Sequence, residues 1–216
     1  MTQHTDTHEH RTRRLVIPLP GRYDEVREQY ERVVPAVDTL AFTGARCWRE
    51  TVRTAQANAP YGFMRYFRGD VSAALAGSPS VGHATQYLMG NHVIAETMFR
   101  HDPSVMLHAP LRTLLFQDRC GATRLAVDQP SLQFASYGHP EITAVGEHLD
   151  ALLGRLITVL GGRVPEQLQA AFLDAFGLPR ATPTDTRDHR ASPARSNVQG
   201  ERSTAIAPAA WIGQVS

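Results

Sequence analysis

No lysine occurs anywhere in the chain, so all 22 basic side chains are arginine. Without an ε-amino group no Schiff base can form, which excludes lysine-dependent pyridoxal chemistry and class I aldolase chemistry. P-loop NTPases and protein kinases, which need a phosphate-binding or strand lysine, are excluded as well. Cysteine is almost as scarce. Cys47 and Cys120 are too few for a disulfide framework and fall in no CxxC or zinc-ribbon spacing, which points to a reduced, cytoplasmic chain. No apolar run approaches the roughly 20 residues needed to cross a bilayer. Residues 1–14 lack the apolar core of a secretory leader. Charge of one sign is also missing: 22 arginines face 21 carboxylates, for a formal net charge of +1. Such a balance gives no global attraction to nucleic acid or to an anionic membrane, and neither is an expected partner.

What is present is ordinary globular composition, 42% hydrophobic and 20% charged over 216 residues, enough for one medium domain with tails. Residues 1–13 are polar and dotted with His4, His8 and His10, and are expected to be a disordered lead-in. Residues 14–161 carry the element signals of a single domain, 162–178 suit a helical extension, and 179–216, rich in Pro, Ser, Thr, Ala and Arg, suit a disordered tail. Arg14 to Leu19 is a short β-prone run in which Pro18 favours a sheet edge. Tyr23, Val26, Tyr30, Val33 and Val34 recur at helical spacing. Cys47 to Val52 suggests a strand. The aromatic run Tyr61 to Arg68, apolar on both alternating faces, suits a strand covered on both sides. A short helix over Val71–Ala76 and a strand over His83–Met89 follow, and Asn91 is placed to cap a helix over 93–99. Residues 111–117 and 123–127 read as a hairpin with Gly121 at the positive-φ turn position. Ile142, Val145, Leu149, Leu152, Leu153, Leu156 and Leu160 mark a long helix from Glu141 to Leu160. This order predicts an α+β fold: a curved antiparallel sheet with helices packed on one face.

The segment from Tyr87 to Asp128, with Gly90-Asn91-His92, Ala95, His101-Asp102-Pro103 and Pro110-Leu111-Arg112 in place, resembles the bacterial family known as domain of unknown function 302. The likeness extends over roughly residues 13 to 161. It implies a fold like the TATA-binding-protein half-domain, often assembled as a homodimer, and no established activity. Members often carry Cys-Asn-Pro where this chain has Gly90-Asn91-His92, and a cysteine where it has Leu111, so no thiol role carries over. Nor does the sheet's likeness to a DNA-bending protein imply DNA binding, since function belongs to sites.

Two functional readings compete. In the first, the protein is a dimeric small-ligand-binding or accessory module without established catalysis, with Asn91, His92 and Arg112 at the mouth of a pocket between sheet and helices. Because lysine is absent, an anion there must be held by arginine, backbone N–H groups or histidine. In the second, His92 and Glu96, four apart on one helix face, join His101 and His108 to hold a divalent metal or a haem, with possible oxidoreductase chemistry. The competing structural role is plain: Glu96 pairs with Arg100 and the histidines bond locally. His101-Asp102 near Arg112 is a further acid–base candidate, although Asp102-Pro103 equally suits a turn. The aromatic and arginine run 61–68 is read as core packing with outward arginines rather than a base-stacking surface. Cys47, beside Arg46 and Arg49, is a candidate low-pKa thiol.

Overall fold

A computed structural model describes residues 5–79 and 82–177. Strand β1 (Arg14–Pro18) runs into α1 (Tyr23–Val33), and α2 (Thr39–Thr43) and α3 (Trp48–Asn58) precede β2 (Met64–Asp70). A short α4 (Val71–Ala74) leads to β3 (Ala84–Gly90), α5 (His92–Phe99) and a 3-10 turn at Pro103–Leu107. The hairpin β4 (Leu111–Gln117) and β5 (Thr123–Asp128) is followed by α6 (Pro130–Ala135), the long α7 (Pro140–Val159) and α8 (Glu166–Phe176). All five strands form one antiparallel sheet in the order β1-β5-β4-β3-β2, an α+β fold as the sequence pattern predicts. The tail expected over 179–216 lies outside the described residues.

Period-two patterning decides which way the sheet faces. Leu15 and Ile17 of β1, Tyr87 and Met89 of β3, Leu111 and Leu115 of β4, and Leu125 and Val127 of β5 point inward. There they share one core with Tyr23, Val26 and Tyr30 of α1 and with Ile142, Leu149, Leu153, Leu156 and Ile157 of α7. Each fully buried aliphatic or aromatic side chain of this kind is worth about 1.5–3 kcal/mol over its exposed state. Three strand threonines are buried on the same side, each with a partner: Thr85 meets the Tyr23 hydroxyl at 2.5 Å, Thr113 the Tyr30 hydroxyl at 2.8 Å, and Thr123 donates to the Gly21 carbonyl at 3.0 Å. The alternate residues, Val16, Gln86, Leu88, Arg112, Leu114, Phe116 and Ala126, lie on the other face and stay partly or fully exposed. Pro18 sits on an edge strand, where its missing N–H costs nothing. In the hairpin turn Gly121 adopts φ +80°, and Asp118 Oδ1 accepts the N–H groups of Cys120 and Ala122 at 2.9 and 3.0 Å.

Two expectations are corrected. Residues 48–52 are helical, the first turn and a half of α3, because Ala55 and Ala59 continue an inward face at helical spacing beneath a small satellite core. The aromatic run is not covered on both sides. Strand β2 is an edge strand with a bulge between Arg65 and Phe67, and Phe67 is 48% exposed. Its apolar residues serve two separate places: Phe63 joins the main core, whereas Met64 and Tyr66 pack in the satellite core with Val37, Phe42 and Val93.

Candidate functional site

A cavity of about 440 Å³ opens where the 3-10 turn meets the start of β4. The chain enters it through Ala109-Pro110, and alternation along β4 then turns Leu111 into the core and Arg112 outward. Leu88, the register partner of Arg112 on β3, supplies one apolar wall, and Met106 and Leu107 supply another. Met106 is 46% and Leu107 82% exposed. The Arg112 guanidinium has no ion-pair or hydrogen-bond partner among the described residues. Asp128, which pairs in register with Arg14 of β1, also lines the cavity.

His108 lines the same cavity with a defined hydrogen-bond pattern. Tyr137 Oη donates to the Ser104 carbonyl at 3.1 Å and lies 2.7 Å from His108 Nδ1. Tyrosine has one proton and a carbonyl can only accept, so both contacts are satisfied when His108 carries its proton on Nδ1 and leaves Nε2 as an acceptor. Burial, with the nearby His10, lowers the His108 pKa and keeps the ring neutral. The cavity therefore offers one free cation, one neutral imidazole, one carboxylate and an apolar wall.

Of the residues expected to share one mouth with Arg112, His92 lines a different cavity, beside Phe42 and Tyr66 under α2 and α3. Its ring stacks on Phe42 at 4.2 Å, and Nδ1 meets the Tyr66 hydroxyl at 2.9 Å. Burial lowers the His92 pKa and raises that of Tyr66 to about 12, so both stay neutral. Asn91 has a structural task at both ends of its amide. Oδ1 accepts the Val93 N–H at 2.9 Å, capping α5 as its sequence position predicts, while Nδ2 donates to the Gly62 carbonyl at 3.1 Å.

Nor do the four residues of the metal reading converge. Glu96 forms a two-pronged pair with Arg100 one turn on, His101 faces His139 with ring centroids 6.4 Å apart, and His92 and His108 are placed as above. Among the described residues no three His, Cys, Asp or Glu side chains are placed to hold a metal ion together. Asp102 accepts the Ser104 N–H at 2.8 Å and caps the 3-10 turn, so the turn reading of Asp102-Pro103 fits the geometry. Arg65 and Arg68 of the aromatic strand both pair with Glu31 of α1, at 3.4 and 2.8 Å, which ties both guanidinium groups to the helix and halves the charge they could offer a nucleic acid. Burial works to raise the Glu31 pKa, but the bonds from Arg68 and Tyr87 and the charge of Arg65 outweigh it and hold it below the usual value. Tyr137 had no distinguishing local signal. Asp128 is placed at the site by the β4–β5 hairpin, whose register of Thr113 with Val127 continues to Arg112 beside Asp128.

A family model for the domain of unknown function DUF302 matches residues 48–160, just over half the chain. The chain belongs to this family. It is similar to the crystal structure of an uncharacterised conserved protein of the same domain family from Bacillus stearothermophilus, at 13% sequence identity and a TM-score of 0.51. That match covers 68% of this chain and 97% of the other, and at this identity it shows a shared fold alone. No curated protein matches the chain. None of the described helices is long and apolar enough to cross a membrane.

Proposed function

We propose that this DUF302 protein is a small-ligand-binding module that takes an amphipathic carboxylate in the cavity at the start of β4, with the carboxylate on Arg112. The observation that carries this assignment is an exposed guanidinium without a partner among the described residues, facing the same 440 Å³ space as Leu88, Met106 and Leu107. A guanidinium fork matches a carboxylate in two parallel hydrogen bonds. At an exposed position that pair is worth only about 0.2–1 kcal/mol, so selectivity for a tail matters more. Each methylene buried against the apolar wall adds about 0.8 kcal/mol. Asp128 on the same rim disfavours dianions.

The uncovered sheet face supports a homodimer. Val16, 46% exposed, stands in register with Ala126 and Leu114, and Phe67, 48% exposed, stands beside Leu88 toward the other edge, apolar surface of the kind that marks association. Cys47 and Cys120 are both free and exposed, which suits a reducing, cytoplasmic setting.

Calorimetric titration with octanoate tests the ligand assignment. The intact protein is expected to bind it saturably and Arg112→Met to lose most of the affinity, with acetate binding far more weakly than octanoate. Absence of octanoate binding, or equal binding by Arg112→Met, would remove the assignment.

A further inference from the structure

A second cavity, of about 410 Å³, lies between the first turns of α1 and the junction of β2 with α4. It shares no residue with the Arg112 site. Its floor is the Tyr23–Thr85 hydroxyl pair at 2.5 Å, and the His83 ring stacks on Tyr23 with centroids 5.0 Å apart. Arg27 reaches the cavity from α1 with a peculiarity: its Nε is buried and has no hydrogen-bond partner. The guanidinium is held instead by Nη2, 3.3 Å from Asp24 Oδ1. A buried donor left unmatched weighs against folding, so the fold alone gives little reason for this guanidinium.

Two carboxylates line the same space. Asp24 is largely exposed, and Asp70 commits Oδ1 to the Ala73 N–H at 3.0 Å, leaving Oδ2 for another donor. Ser72 Oγ accepts the Ala84 N–H at 2.8 Å and keeps its own proton available to donate. An anion alone would meet Asp24 and Asp70, and a cation alone would meet Arg27. A molecule with a carboxylate and an ammonium one carbon apart satisfies both sets, and the Tyr23–His83 stack offers a flat wall to a side chain. We propose that this cavity binds a free α-amino acid, its carboxylate on Arg27 and its ammonium between Asp24 and Asp70.

The test is a titration of the full chain, followed by amide chemical shifts, with L-alanine, L-glutamine, L-phenylalanine and L-arginine. Acetate, methylammonium and glycine betaine serve as partial ligands. At least one amino acid is expected to saturate shifts around Tyr23, Ser72 and His83, with every partial ligand weaker by tenfold or more. Arg27→Met is expected to weaken binding by at least tenfold and Asp24→Asn severalfold, whereas Arg112→Met leaves it unchanged, which separates this site from the carboxylate site at β4. Arg27→Met should also melt no lower than the parent protein, because it removes an unmatched buried donor. Three results would overturn the proposal: no amino acid binds, acetate binds as well as the amino acids, or Arg27→Met melts lower, which would assign the guanidinium to the fold.

Discussion

Tyr30 shows how much of the molecule turns on single polar atoms held inside the core. It is fully buried, stacks on Tyr87 at 4.5 Å, and bonds Thr113 across the helix–sheet interface. Burial drives its pKa far upward, so the phenol stays protonated. Tyr30→Phe strands the Thr113 hydroxyl and is expected to lower stability by about 1–3 kcal/mol in urea unfolding. Adding Thr113→Val should recover much of that loss, because removing both partners leaves no unmatched group. A double variant no more stable than the single one would contradict this account. The two neutral histidines set a pH dependence. His92 and His108 both have folded pKa values below the ordinary 6.5, so the folded state binds fewer protons than the unfolded chain. Their contribution to stability is therefore present above pH 6.5 and lost as pH falls below it. Urea midpoints measured from pH 7.5 down to pH 5, values taken as roughly spanning the imidazole range, should fall, and His92→Phe should flatten the decline. At this scale the sequence was partly legible. Tyr30 lay visibly on an apolar helix stripe and Asn91 in a capping position, but nothing local marked Thr113 as the partner of Tyr30, 83 positions away.

Among the elements, α7 was the most legible because a 20-residue apolar stripe leaves no competing period. What the stripe did not show was why two glycines interrupt it. A Cβ on Gly146 would lie 3.0 Å from Ser131 Cα of α6, and one on Gly154 would lie 2.9 Å from the Phe172 ring of α8. Both mark close helix crossings. Gly146→Ala would gain about 1 kcal/mol of helix propensity, but the neighbour it strikes is backbone, and overpacking of that kind costs about 1–3 kcal/mol. A lowered melting temperature is expected, and an unchanged or raised one would show that α6 yields freely. The misread element, α3, has the opposite cause. Cys47 to Val52 was a window too short to separate period two from period 3.6, and the deciding residues, Ala55 and Ala59, lay beyond it.

On the scale of the whole molecule, the sheet has one face in the core and one outside it, and the two proposals about association and ligand binding both follow from that asymmetry. If two copies pair through the open face, native mass spectrometry should report a dimer, and the charged pair of substitutions Val16→Arg with Leu114→Arg should give a folded monomer. A wild-type monomer at all concentrations would remove the dimer. The site was legible only in part: the family resemblance of Pro110-Leu111-Arg112 pointed to Arg112, and the absence of lysine left an anion to arginine, histidine or backbone. Asp128 followed from the hairpin, whose register sets it beside Arg112, but His108 and Leu88 did not, because the 3-10 turn and the pairing of β3 with β4 bring them in. Of the expected neighbours, Asn91 is committed to capping α5 and His92 lines a separate cavity. Amide chemical-shift mapping of octanoate on the full chain tests the central claim most directly. The account predicts saturable shifts at Leu107, His108 and Arg112, with none around Phe42 and His92. No shifts at any concentration reached, or shifts centred on His92, would contradict it.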